Sequence, residues 1–79
     1  MNELTLYFSP SCPFCRKVFN FMQSRKINIP LKDVSLESSY RDELMNIGGK
    51  TQVPCLIING EALYESDDII QWLETNFRD

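Results

Sequence analysis

Cys12 and Cys15, separated by Pro13 and Phe14 in the run Ser11-Cys12-Pro13-Phe14-Cys15, are the residues of this chain best suited to chemistry. A thiol reacts as its thiolate, and the start of a helix favours that negative charge through its dipole and its free amide groups. Proline is favoured at the first helical position because its missing N–H has no partner to lose there. Pro13 therefore predicts a helix start, with Cys12 as the cap and its sulfur over the exposed amides. Cys15 falls one turn further in, where it is more shielded. That asymmetry assigns roles: Cys12 attacks a disulfide, and Cys15 can then attack the mixed disulfide that results. Arg16 and Lys17, in the first turns, add positive potential near the sulfur.

The elements that hold this pair follow from periodicity. Leu4-Thr5-Leu6-Tyr7-Phe8 is short, rich in strand formers and stopped by Ser9-Pro10, so it reads as a strand. After Pro13, Phe14, Val18, Phe21 and Met22 recur at helical spacing between polar residues, which predicts an amphipathic helix. Ile27 to Val34 reads as a second strand, its Pro30 near the start or at an unpaired edge position. Ser38 to Ile47 reads as a second helix with Tyr40, Leu44 and Ile47 on one side, closed by Gly48-Gly49. Val53 and Pro54 precede an apolar strand, Cys55 to Ile58, which Asn59-Gly60 turns back into Ala62-Leu63-Tyr64. A third helix begins near Ser66 and runs through Ile69, Ile70, Leu73 and Phe77. The order β-α-β-α-β-β-α predicts an α/β layer structure with a four-stranded mixed sheet, the first two strands parallel across their helix and the last two antiparallel across their turn.

Composition narrows the function. A chain of 79 residues removes only about 60 to 65% of its extended surface from water, which suits a single domain over residues 1–79. Hydrophobic residues at 43% and charged residues at 24% give the balance of an ordinary globule rather than a disordered chain. The net charge of -3, with eight scattered Lys and Arg, is wrong for nucleic acid or an anionic membrane. No basic segment precedes an apolar one at the N-terminus, so no signal peptide or membrane span is readable, and a reduced, cytoplasmic setting is expected. Three cysteines without a histidine supply too few ligands for zinc, and the missing histidine removes Cys-His hydrolysis; no metal is expected.

With these residues in place, the chain resembles a glutaredoxin of the thioredoxin-like fold. The resemblance rests on the order of elements, Cys12-Pro13-Phe14-Cys15 opening the first helix, Val53-Pro54 before the third strand, and Ser66-Asp67-Asp68 opening the last helix. It spans essentially the whole chain. The stretch Leu63 to Ile70 also resembles the N-terminal domain of glutathione transferases, where a Glu-Ser pair holds the γ-glutamyl end of glutathione. Both resemblances imply glutathione as the ligand and reducing co-substrate, with glutathionylated or disulfide-containing proteins as partners; the chain itself is expected to be a monomer. They place Arg41 at the glycyl carboxylate and the backbone of Val53, before a cis Pro54, against the cysteinyl part. Ser66 would accept the glutamyl carboxylate at the helix start and Asp67 its amine, with Glu65 a weaker addition; Phe14 and Gln52 complete the expected binding set. Ser9 stands where many glutaredoxins carry lysine, Tyr64-Glu65 where others have Gly-Gly, and Phe14 where tyrosine is common.

Plainer roles compete for several of these residues. Ser66-Asp67-Asp68 is also what a capped helix start looks like, Arg41 suits a solvated face, and Cys55 suits a small buried hydrophobe. The expected function is a glutathione-dependent thiol-disulfide oxidoreductase. Two alternatives stand beside it: a carrier whose iron-sulfur cluster is ligated by Cys12 and glutathione, and a glutathione-binding domain without turnover.

Overall fold

The computed structural model describes residues 3–77; the outermost positions of the expected 1–79 domain lie outside them. In chain order the elements are β1 (Leu4–Phe8), α1 (Pro13–Arg25), β2 (Leu31–Asp33), α2 (Ser38–Gly48), β3 (Cys55–Ile58), β4 (Glu61–Leu63) and α3 (Ser66–Asn76). The strands form one sheet in the order β2-β1-β3-β4. β1 runs parallel to β2, with Leu6 opposite Leu31, and antiparallel to β3, with Tyr7 opposite Cys55. β3 and β4 form a hairpin whose turn residues, Asn59 and Gly60, have φ of 52° and 87°, the left-handed pair that a two-residue turn of matching twist requires.

Successive side chains of a strand point to opposite faces, and the core divides accordingly. Leu6 and Leu56 pack with Val18, Met22, Ile69 and Leu73 under α1 and α3. Tyr7, Cys55 and Ile57 face the other way, onto Leu44 of α2 and Val34. The central strand β3 is buried on both faces, which is why it reads as an unbroken apolar run. Three helices around this four-stranded mixed sheet make a thioredoxin-like fold.

The second strand is shorter than its composition suggests. Lys26 closes α1 in the left-handed region (φ 56°), and the Ile27 N–H bonds back to the Met22 carbonyl at 2.9 Å. Ile27 thus serves as the buried residue that follows a helix end, not as a strand residue. Pro30 has no N–H to offer a ladder; only its carbonyl pairs, accepting from the Leu6 N–H at 2.9 Å. Pairing therefore starts at Leu31. β4 is displaced by one residue from the expected Ala62–Tyr64, because closing the tight turn pairs Ile58 with Glu61 and frees Tyr64 to donate its hydroxyl to the Lys50 carbonyl at 3.2 Å. On α2 only Leu44 is fully buried; Ile47, expected beside it, is exposed. On α1 the buried face is Cys15, Val18 and Met22, while Phe14, expected on that stripe, is 62% exposed.

Candidate active site

Cys12 is the cap of α1, in extended backbone (φ -88°, ψ 119°), with Pro13 behind it and no side chain capping the helix. Its N–H bonds to the Ser9 carbonyl at 3.1 Å, and its own carbonyl accepts from Arg16 at 3.2 Å. The amides at the start of α1 thus have no side-chain partner, and the residue placed over them is a cysteine. The Cys12 Sγ is half-buried and, as a thiol, donates to the Val53 carbonyl at 3.7 Å. The three cysteines are free thiols.

Cys15 is sealed from solvent. Burial pushes its thiol up to about 12; a backbone hydrogen bond from Ser9 opposes the shift and the neighbouring Cys12 reinforces it. Cys55 is equally sealed and is pushed up by burial to about 11. The two members of the Cys12-Cys15 pair therefore differ: one sulfur reaches the surface at a helix start, and the other lies inside as a neutral thiol.

Beside Val53 opens a groove of about 380 Å³, lined by Phe14 and Lys17 from α1, Gln52, Val53 and Pro54 from the loop before β3, and Glu65, Ser66 and Asp67 at the start of α3. The Val53-Pro54 peptide is cis. Glu65 holds φ of 66° and its carboxylate accepts from Gln52 Nε2 at 3.3 Å. Ser66 is buried, and Asp67 and Asp68 occupy the first turn of α3, again with no side-chain cap. Lys17 and Asp67 form an ion pair between the two helices.

The groove gathers Phe14, Gln52, Val53, Pro54, Ser66 and Asp67, with Cys12 joined to it through Val53 and Cys15 behind. Arg41 is elsewhere: it is exposed on α2 and does not line the groove. The pairing of Lys17 with Asp67 is the part that no sequence spacing announces, since it depends on how α1 and α3 pack. A larger groove, about 570 Å³, lies at the opposite end of β1 against Glu3, Pro30 and Phe77; neither a thiol nor a cation lines it. Among the described residues no group of three or more His, Cys, Asp or Glu side chains is placed to hold a metal ion. No described helix is long and apolar enough to cross a membrane.

The model of the glutathione S-transferase N-terminal domain family matches residues 6–79. This chain belongs to that family. Among relatives of this transferase N-terminal domain, an uncharacterized glutaredoxin-like 8.6 kDa protein of the rubredoxin operon of Clostridium pasteurianum is 25% identical over 60 residues, covering 76% of this chain and 80% of the relative. The crystal structure of glutathione transferase Omega 3C from Trametes versicolor superposes with a TM-score of 0.82 at 25% identity, over 98% of this chain and 34% of that one. Glutaredoxin C1 from Populus tremula x tremuloides shares the fold, with a TM-score of 0.72 at 15% identity over 95% of this chain and 77% of that one. The domain thus spans about a third of the solved transferases it matches but most of the glutaredoxin.

Proposed function

We propose that this domain is a glutathione-dependent thiol-disulfide oxidoreductase in which Cys12 is the nucleophile. The observation that carries the reading is the position of Cys12: half-buried, at the cap of a helix whose first amides have no side-chain partner, with its Sγ 3.7 Å from the carbonyl of a residue that lines the groove. Likeness to both glutaredoxins and glutathione transferases supports glutathione as the occupant of that groove.

The reaction is a pair of thiol-disulfide exchanges. The Cys12 thiolate attacks the glutathionyl sulfur of a protein mixed disulfide; the new Cys12–glutathione bond forms as the old S–S bond breaks, and the protein leaves as its thiolate. A second glutathione thiolate then attacks the glutathionyl sulfur, releasing glutathione disulfide and restoring Cys12. Each step consumes one disulfide and makes one; the single incoming glutathione thiol is oxidised as the protein sulfur is reduced, and the glutathione disulfide released carries the glutathionyl group taken from the protein. The N-terminal amides of α1 favour the sulfur anion both as attacker and as leaving group.

For a protein disulfide, Cys15 completes the reaction by attacking Cys12 in the mixed disulfide, which releases the substrate thiol and leaves a Cys12–Cys15 disulfide. Two glutathiones reduce it. Cys15 must first lose a proton, and its buried thiol resists doing so, so this route is the slower of the two near neutrality.

Assays coupled to glutathione reductase test the reading on a glutathionylated peptide, with wild type, Cys12→Ser and Cys15→Ser. Wild type and Cys15→Ser turn over, while Cys12→Ser is dead. Binding of glutathione without turnover by the wild type would make this a binding domain; a bound iron-sulfur chromophore after anaerobic purification would make it a cluster carrier.

A further inference from the structure

The groove carries one cation, Lys17, and two carboxylates: Glu65, which accepts from Gln52, and Asp67, which is paired with Lys17. Lys17 projects from α1 and Asp67 from α3, and their ion pair spans the groove that both residues line. Among the described residues, each is the other's charged partner. Their side chains are 54% and 80% exposed. Exposed pairs of this kind contribute little, because water and salt screen them. A ligand that brings charges of its own can exchange for either member.

Charge matching decides which ligand gains from that exchange. A ligand bearing only an ammonium takes Asp67 but strands Lys17, so one pair replaces another with no gain. A ligand bearing only a carboxylate must share Lys17 with Asp67 and is repelled by the latter. A ligand with an ammonium and a carboxylate on one carbon breaks one pair and makes two. Being net neutral, such a ligand end also leaves the charge of the groove, whose lining includes Glu65, unchanged.

We propose that Lys17 selects the ligand by exchanging partners: the ligand's α-ammonium takes Asp67, and the Lys17 ammonium so released takes the α-carboxylate beside it. Lys17 thereby tunes the groove to the free amino-acid end of a γ-glutamyl peptide. This rests on the glutathione reading given above and adds a residue that discriminates among the ligands that reading allows. The competing account makes the pair a brace between α1 and α3.

The test uses three unreactive ligands on reduced protein, measured by calorimetry: S-methylglutathione, the 4-aminobutanoyl analogue that lacks the α-carboxylate, and the glutaryl analogue that lacks the α-ammonium. On wild type, S-methylglutathione binds tightest. On Lys17→Gln it binds about fivefold more weakly, while the 4-aminobutanoyl analogue binds up to about fivefold more tightly because its competitor for Asp67 has gone; the margin between the two closes. Lys17→Arg keeps the wild-type order. Urea midpoints confirm that each variant is folded. If Lys17→Gln shifts all three ligands by one common factor, the pair is a brace and the exchange is wrong, although glutathione still binds. If S-methylglutathione fails to bind wild type, the glutathione reading itself falls, and this inference with it.

Discussion

The Sγ of Cys12 lies 3.7 Å from the carbonyl oxygen of Val53, a residue 41 positions further along the chain. Sheet order brings them together. β1 and β3 are antiparallel neighbours, with Tyr7 opposite Cys55, so the loop leaving β1 toward α1 and the loop entering β3 lie at the same end of the sheet. The nucleophile and the groove wall are thus consequences of one strand pairing.

Native alkylation should find a single cysteine. Cys12 is half-exposed, whereas Cys15 and Cys55 are sealed and react only through local opening. Iodoacetamide followed by peptide mass spectrometry is expected to modify Cys12 at least about 100-fold faster than either of the others. Comparable labelling of Cys15 would contradict the division of roles.

Stability should fall in mild alkali. Cys15 and Cys55 sit at about 12 and about 11 against an ordinary value of 9.0, so above pH 9.0 the unfolded chain releases protons that the folded protein keeps. The stabilisation is complete below that pH and is lost as pH rises toward the folded values, at up to about 1.4 kcal/mol per pH unit for each thiol. Urea unfolding with reductant, between roughly pH 8 and pH 10, reads this slope before Tyr7 and Tyr64, whose phenols burial also raises, contribute strongly. Cys55→Ala should about halve it. A slope unchanged by that substitution assigns the loss to other groups.

Ser66→Ala separates ligand binding from helix capping. The cap position of α3 is Glu65, and no side chain caps the helix by a hydrogen bond, so the Ser66 hydroxyl has little to contribute to folding. The variant should lose less than about 0.5 kcal/mol of stability while its KM for glutathione rises about fivefold, the effect of one lost hydrogen bond of about 1 kcal/mol. Lost stability with an unchanged KM would return Ser66 to plain capping.

Gly48 is required by close approach. A Cβ there would stand 2.0 Å from the Tyr64 hydroxyl and 2.8 Å from the Ala62 Cβ. Gly48→Ala is expected to cost about 1 to 3 kcal/mol, as overpacking does. Adding Tyr64→Phe should return only part of it, since Ala62 remains in contact. A neutral Gly48→Ala in denaturant titration would show that α2 shifts freely on the sheet.

Local chemistry made some parts of this molecule readable from sequence and left others hidden. β1, the start of α1 at Pro13, β3 and the Asn59-Gly60 turn announce themselves through strand formers, proline and left-handed residues, and each lies where its composition puts it. The second strand is shorter than the apolar run that suggests it, because Ile27 is apolar for a different reason, closing the end of α1. Phe14 has the right spacing for the core face of α1, yet the helix turns Cys15 inward instead and leaves the aromatic at the groove. Arg41 is exposed on α2 and does not line the groove, since where α2 sits relative to the thiol depends on tertiary packing that spacing does not encode. The Tyr7 hydroxyl and Lys32 both bond to Glu43 at 2.7 Å, and this network holds the carboxyl of Glu43 below its usual range, Lys32 first and Tyr7 second. No spacing could have foreseen it, because its members come from β1, β2 and α2.

Glu65 occupies a backbone region that suits glycine, with φ of 66° and ψ of 118°, at a cost of order 1 to 3 kcal/mol. Glycine at this position would relax the chain, and a screen for heat resistance would choose it. The same change deletes the carboxylate that holds Gln52 on the wall of the groove. Durability and capture of ligand therefore pull residue 65 in opposite directions, and laboratory evolution for heat resistance alone would be expected to rewrite it first, while selection for ligand capture would keep it.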